Sequence, residues 1–276
     1  MPELPEVEAW RRALDAWMVG RVVRAVRLRE PTTVRGTLAT RPTTPPPALI
    51  ARAHAMTGHP VLATARHGKR MGLRVGEAWW LLHLGMTGRF ERGAETAPPG
   101  HARVGWSLDD GSCVWFRDAR RFGALVPLEG RTALGSELGP DALRPLDGVS
   151  LSARFRGRRA IKVALLDQTC LAGLGNIHAA EALWRAGLHP WTPVSVVPLA
   201  SWEALARAIP NQLAQALSEI PEVDSFVYVT EGGDNPFAVY GREGQPCRRC
   251  GVAVQRALQS GRSTFWCPVC QPEGGG

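Results

Sequence analysis

The positions whose types and spacing support chemistry lie at the two ends of the chain. It opens Met1-Pro2-Glu3-Leu4-Pro5-Glu6-Val7-Glu8. Removing the initiator Met1 leaves Pro2 with a free secondary amine. An α-amine titrates at about 7.7–8.0, so an unprotonated fraction exists at neutral pH. Such an amine attacks a sugar aldehyde carbon and forms an iminium, the covalent logic of amine catalysis. Glu3 and Glu6 stand beside it as acid and base. The same run also serves as a plain helix start, with Pro5 in the first turn and glutamates at the positive end of the helix. By itself it does not choose between these uses.

At the other end, Cys247-x2-Cys250 and Cys267-x2-Cys270 form two pairs separated by 16 residues. Each C-x2-C pair places two sulfurs on one metal, so the set makes a four-thiolate tetrahedral site for one structural zinc. Four protein ligands leave no coordination position for a substrate. The intervening residues must run out and back as a hairpin with Ser260-Gly261 at its tip, from which Arg262 projects. Cys113 and Cys170 stand apart in apolar surroundings as core thiols.

The elements that must position these groups follow from periodicity. Val7, Trp10, Leu14 and Trp17 are spaced for a helix over residues 5–18, ended by Gly20. Alternating segments follow at 22–28, 61–65, 72–75, 79–84, 104–108 and 114–116, separated by turn residues such as Gly76-Glu77 and Asp109-Asp110-Gly111. This predicts an antiparallel β domain with one leading helix. Residues 40–47 are Pro/Thr-rich and read as an exposed loop. Helices are expected at 151–155, 161–168, 177–186 and 201–219, with the domain boundary in the aperiodic stretch 131–150.

Between Ile161 and Pro190 the pattern is helix, then Ala172-Gly173-Leu174-Gly175, then Asn176 as N-cap, then a helix closing at Gly187. The start of the second helix is an anion site suited to a DNA phosphate. An ordinary corner between two helices has the same pattern. The preceding Arg154, Arg156, Arg158, Arg159 and Lys162 make a backbone grip readable.

Charge agrees with a polyanionic partner. The chain carries 33 basic and 25 acidic residues, net +8. Lys69 and Lys162 are its only lysines, which suggests roles a guanidinium cannot fill. No apolar run reaches transmembrane length, and the acidic start is unlike a signal peptide, so a cytosolic protein is expected.

Taken together, Pro2 to Glu8, His83-Leu84-Gly85-Met86-Thr87-Gly88, Asp118-Ala119-Arg120-Arg121-Phe122-Gly123, Ala172 to Ile177 and the cysteine ribbon resemble, in that order, the formamidopyrimidine-DNA glycosylases, the bacterial Fpg branch of the Fpg/Nei family. The resemblance covers nearly the whole chain. It implies an α+β protein: an N-terminal antiparallel β-sandwich domain (1–130), a linker (131–150), a helical helix–two-turn–helix domain (151–240) and a zinc finger (241–276). It also implies a monomeric bacterial enzyme, associated with the nucleoid, that excises oxidised purines from damaged duplex DNA and then nicks the abasic strand.

The resemblance makes Pro2 the nucleophile, Glu3 the proton donor for sugar-ring opening and Glu6 a supporting carboxylate. It assigns Lys69 to β-elimination and DNA contact, and Arg262 to δ-elimination and phosphate binding. Asn176 becomes the phosphate-gripping asparagine, His101, Arg121 and Arg159 become DNA contacts, and Lys162 a lysine near the damaged nucleotide. Met86, Arg120 and Phe122 become the wedge that fills the hole left by a flipped nucleotide. Met86 and Phe122 would otherwise read as core residues.

Three departures from the family pattern are visible. Segment 222–238 is shorter than usual and lacks lysine, Ala119 replaces proline, and His178 replaces tyrosine. The short segment leaves open the preference for 8-oxoguanine over ring-opened purines. The nearest rival is the Nei-like branch, which favours oxidised pyrimidines, and against it stand Leu4 and the intact wedge. A non-catalytic damaged-DNA-binding protein would explain charge and ribbon but not the reactive N-terminus.

Overall fold

The computed structural model describes residues 2–39, 43–220 and 235–273. The chain forms two compact units, Met1–Ser136 and Glu137–Gly276. No helix among the described residues is long and apolar enough to cross a membrane.

The first unit opens with helix α1 (Leu4–Met18), which buries Leu4, Val7, Trp10, Leu14 and Met18 along one face. After it come β1 (Val23–Leu28), α2 (Pro47–His54), β2 (Val61–His67), β3 (Arg70–Val75), β4 (Ala78–His83), β5 (Arg89–Ala94), β6 (Ala102–Leu108), β7 (Ser112–Arg117) and β8 (Ala124–Leu128). The strands form two four-stranded antiparallel sheets, ordered β1-β6-β7-β5 and β2-β3-β4-β8. Trp80, Trp106, Trp115 and Phe90 are fully buried, and Trp10 of α1 meets Phe90 edge-on at 5.7 Å. The expected strands form, and β5, β8 and α2 are additional to them. α2 begins at Pro47, a residue suited to a first helical position. Of the loop expected at 40–47, residues 40–42 lie outside the described residues.

The second unit contains α3 (Gly148–Arg154), α4 (Ile161–Leu165), α5 (Asn176–Ala186), α6 (Leu199–Ser218) and the hairpin β9 (Gln255–Gln259) and β10 (Arg262–Trp266). α6 packs on α3 and α5, and α5 also meets β10. α5 closes as expected at Gly187, whose φ of +69° suits glycine. α4 stops at Leu165, short of the expected 168. The expected cap is corrected: Gly175 holds the cap position of α5, and Asn176 is its first helical residue.

Candidate active site

In the first unit, Pro2 and Glu3 are buried at the start of α1. Glu6 reaches back to accept the Glu3 backbone N–H at 2.7 Å, one half of a capping box. The glutamate therefore orients the N-terminal turn, whatever chemistry follows.

Lys69 occupies the two-residue turn between β2 and β3, where His67 pairs with Arg70 and Gly68 takes a φ of +56°. Glu8, the last residue of the opening run and one given no role from sequence, ties that turn to α1. Its Oε2 accepts from Arg66 Nε at 2.9 Å, and Arg66 Nη1 donates to Gly68 O at 3.1 Å. Burial works to raise the Glu8 pKa, but hydrogen bonds from Arg11 and Arg66 outweigh it and hold the carboxyl below its ordinary value. The helix that carries Pro2 and the turn that carries Lys69 thus share one buried ion-pair network.

The expected wedge residues sit on two touching loops, 84–88 and 118–123. Met86 is 37% and Phe122 47% exposed, so neither is a core residue. Arg120 stacks its guanidinium 4.9 Å from the Phe122 ring. Beneath them Asp118, 1% exposed, accepts from Thr87 Oγ1 at 2.5 Å, from Arg120 N at 3.2 Å and from Gly123 N at 2.6 Å. A Cβ at Gly85 would lie 2.7 Å from the Phe122 carbonyl carbon and Gly123 N, so only glycine permits this approach.

His101 and Arg121 both adopt positive φ, +62° and +59°, which non-glycine residues do sparingly. They flank the same feature, since His101 O accepts the Asp118 N–H at 3.1 Å. Arg121 lies 3.6 Å from Glu30.

His83 supports this loop pair through Nδ1, which accepts the Gly85 N–H at 3.1 Å. Burial, then the charges of Arg70 and Arg35, hold its pKa below the ordinary 6.5, with Asp118 opposing. As pH falls below 6.5 the unfolded chain takes up a proton here before the native one does, so native stability declines with falling pH. His83→Asn keeps a side-chain acceptor without titrating and is expected to flatten that decline. Thermal melts of both proteins from about pH 7.5 to about pH 5 measure this, and parallel curves would show that His83 carries none of it.

In the second unit, Ser260 and Gly261 form the tip of the β9–β10 hairpin, with φ of +48° and +76°, and Arg262 follows, exposed. Arg159 is half-exposed and paired with Asp167 at 3.2 Å. Lys162 is 1% exposed, and its Nζ donates to Asn176 Oδ1 at 2.6 Å, Thr264 Oγ1 at 2.7 Å and Ser263 O at 3.3 Å. The stem is buried in the core of this unit, and the ammonium is held between Asn176 of α5 and two residues of β10, about a hundred residues away in sequence. Asn176 Nδ2 also donates to Ser263 O, at 2.9 Å. Lys162 and Asn176 therefore rivet the interhelical turn to the hairpin.

The four cysteines converge, with all four sulfurs within 4.8 Å of one another. Cys250–Cys267 and Cys247–Cys270 are 3.4 and 3.9 Å apart, bracketing the edge of about 3.8 Å that a tetrahedron of Zn–S bonds requires. Burial and the neighbouring sulfurs push the Cys270 thiol up to about 12. At Cys247 burial is outweighed by the backbone N–H groups of Arg249 and Cys250, which bring it down to about 6. A bound dication stabilises thiolates, and four converging sulfurs are a donor set that fits zinc. Cys247 and Cys267 share a core cluster with Ala180 of α5, Val254 and Phe265, so the metal module is continuous with the helix bearing Asn176.

Glu181, also given no role from sequence, is buried on α5 and accepts the N–H groups of Ala238, Val239 and Tyr240 at 2.9 Å. It fixes the end of the short segment 222–238, of which residues 222–234 lie outside the described residues.

Three family models match the chain: the formamidopyrimidine-DNA glycosylase N-terminal domain over residues 1–125, the H2TH domain of the same enzymes over 138–223, and a zinc finger found in FPG and IleRS over 244–272. A formamidopyrimidine-DNA glycosylase of Cereibacter sphaeroides is 41% identical, covering 98% of this chain and all of the relative. The crystal structure of MutM (FPG) from Thermus thermophilus matches with TM-score 0.78 at 34% identity, over 99% of this chain and 100% of that one. A complex of a Lactococcus lactis FPG mutant with DNA containing Fapy-dG matches with TM-score 0.84 at 28% identity, with the same coverage.

Proposed function

The chain belongs to the formamidopyrimidine-DNA glycosylase family, and from that premise we propose a mechanism built on its own residues. It is a DNA glycosylase of base excision repair that acts on damaged DNA and holds one structural zinc. The substrates are oxidised purines, 8-oxoguanine and formamidopyrimidines, and the enzyme is also an abasic-site lyase. It acts as a monomer in the bacterial cytoplasm, on the nucleoid.

The division of labour is by domain. Residues 1–130 carry the nucleophile, the wedge and part of the backbone contact, 131–150 link, 151–240 grip the duplex, and 241–276 add the hairpin that brings Arg262 to the second elimination. With Met1 removed, the Pro2 nitrogen attacks C1′ of the extruded nucleotide, and the C1′–N bond breaks with its electron pair leaving on the base. The attacked Pro2 nitrogen gives up its N–H proton to the departing base, Glu3 gives a proton to the ring oxygen as the sugar opens, and the Pro2 lone pair freed in this way completes an iminium. Glu6 holds the turn. Loss of the C2′ proton then breaks the C3′–O bond, and a second elimination breaks the C5′–O bond. Lys69 serves the first elimination and Arg262 the second, as cations beside the departing phosphates.

Met86, Arg120 and Phe122 fill the vacated stack. His101, Arg121, Arg159 and Asn176 contact the backbone. Lys162, being buried, contributes by holding Asn176 and β10 in place. The observation that carries this reading is the coincidence, in one unit, of a buried Pro2-Glu3 start and an exposed Met86/Arg120/Phe122 set on a rigid base.

One preparation offered duplexes with 8-oxoguanine, formamidopyrimidine or thymine glycol tests it. Excision of both purine lesions is expected to exceed that of thymine glycol by about tenfold or more, with strand ends phosphorylated on both sides of the gap. A preference for thymine glycol would move the chain to the pyrimidine-directed branch, and binding without base release would remove the enzymatic reading.

A further inference from the structure

We infer that Arg35 is a positioning residue for damage recognition: its buried guanidinium fixes the backbone on both sides of Phe122, so that the ring is presented ready to enter the stack. The inference rests on the reading that Met86, Arg120 and Phe122 fill the gap left by an extruded nucleotide.

Arg35 is 8% exposed, follows the 3₁₀ turn Pro31–Thr33 and lies in no strand of either sheet. Its Nη2 donates to Arg121 O at 3.1 Å and to Gly123 O at 3.0 Å, the carbonyls immediately before and after Phe122. Its own backbone is pinned too, since Arg35 N donates to Leu125 O at 3.0 Å. A buried charged donor aimed at two neighbouring loop carbonyls is an expensive arrangement unless those carbonyls must be held.

The corner it holds is one that resists forming. Arg121 takes a φ of +59°, sparsely populated for a residue with a Cβ. Gly123 has no room for a side chain, because a Cβ would lie 2.4 Å from the Phe116 ring. Asp118 grips the same loop through N–H groups at Arg120 and Gly123, while Arg35 takes the carbonyls at Arg121 and Gly123. Donors and acceptors of residues 120–123 are thus both held, yet Phe122 remains 47% exposed. This is a rigid base under a free tip. A wedge of this kind enters the duplex without first losing the freedom of a mobile loop.

The test is Arg35→Met, which keeps bulk and removes the donors, combined with Phe122→Ala in a double-mutant cycle. In duplex DNA carrying 8-oxoguanine, R35M is expected to lower kcat about thirty-fold with KM nearly unchanged, because the lost bonds matter when the wedge inserts. On a single-stranded abasic oligonucleotide, which has no gap to fill, R35M should cleave within about twofold of the parent. In the F122A background, R35M should add no further loss. Should R35M not fold, R35K, with a shorter reach and a single-point charge, takes its place in the same cycle and is expected to show the same split at smaller amplitude. Equal losses on both substrates, or losses that multiply with those of F122A, would overturn the inference. If the parent protein neither excises nor nicks, the functional reading beneath it fails, and that control is read before any variant.

Discussion

Protein that retains Met1 is expected to lose base excision by about 10³-fold or more while binding damaged duplex as tightly as processed protein. In the retained form the Pro2 nitrogen is a tertiary amide whose lone pair is delocalised into the carbonyl, so it cannot attack C1′. The retained Met1 brings a primary amine of its own, but one residue, about 3.8 Å, removed from the Pro2 position, while Glu3 and Glu6 are oxygen acids and Glu6 already holds the Glu3 N–H. Affinity should survive because the proposed backbone contacts, Arg121, Arg159 and Asn176 among them, lie elsewhere in the chain. Single-turnover excision alongside a binding titration separates the two quantities. A retained-Met1 preparation of undiminished rate would require another nucleophile.

Stripping zinc, or replacing Cys250 by serine, is the second large expected effect. Structural zinc sites contribute on the order of 10–16 kcal/mol to the folding of small finger peptides, more than a single domain's usual reserve. Here the damage would not stay at the metal. Cys247 and Cys267 belong to the cluster that includes Ala180 of α5, and Lys162 and Asn176 are bonded to residues 263 and 264 of β10. Without the metal the hairpin frees both, so Arg262 and Asn176 lose their placement together. DNA affinity should fall by about 10²-fold or more, and its dependence on salt should flatten by roughly 0.9 in log–log slope for each phosphate that is no longer neutralised. Anisotropy titrations at several salt concentrations, with zinc content measured on the same samples, check this. Metal-free protein of full affinity and unchanged slope would contradict the assignment of the hairpin to DNA.

Much of this architecture was legible in the sequence, and the misses have physical causes. The buried central strands alternate or carry continuous apolar runs, so periodicity finds them. β5 and β8 are edge strands. In β5 only Phe90 is fully buried, among charged neighbours, and β8 contains Pro127, a residue edges tolerate and centres do not. α2 buries only Ala53 and so has no apolar stripe to read.

The zinc ligands and the hairpin tip followed from spacing, because a metal imposes local geometry on sequence. The supports did not. Glu8 meets Arg66, Arg35 meets the loop at 121–123, and Glu181 meets the backbone at 238–240. Each joins distant segments through bonds whose partners no period or motif names. Lys162 shows the same limit: two lysines among 33 basic residues marked it for attention, but its burial depends on β10. His178 was visible as a substitution, and its partner Gln212, at 3.4 Å, was not.

The proposed chemistry stands on the nitrogen of Pro2, and borohydride trapping on damaged duplex followed by peptide mass spectrometry interrogates that atom. The expected result is a reduced covalent adduct between the opened deoxyribose and the peptide that begins at Pro2, abolished when Met1 is retained. An adduct of equal yield on Lys69 or on any other amine, or none while base release proceeds at full rate, would contradict it.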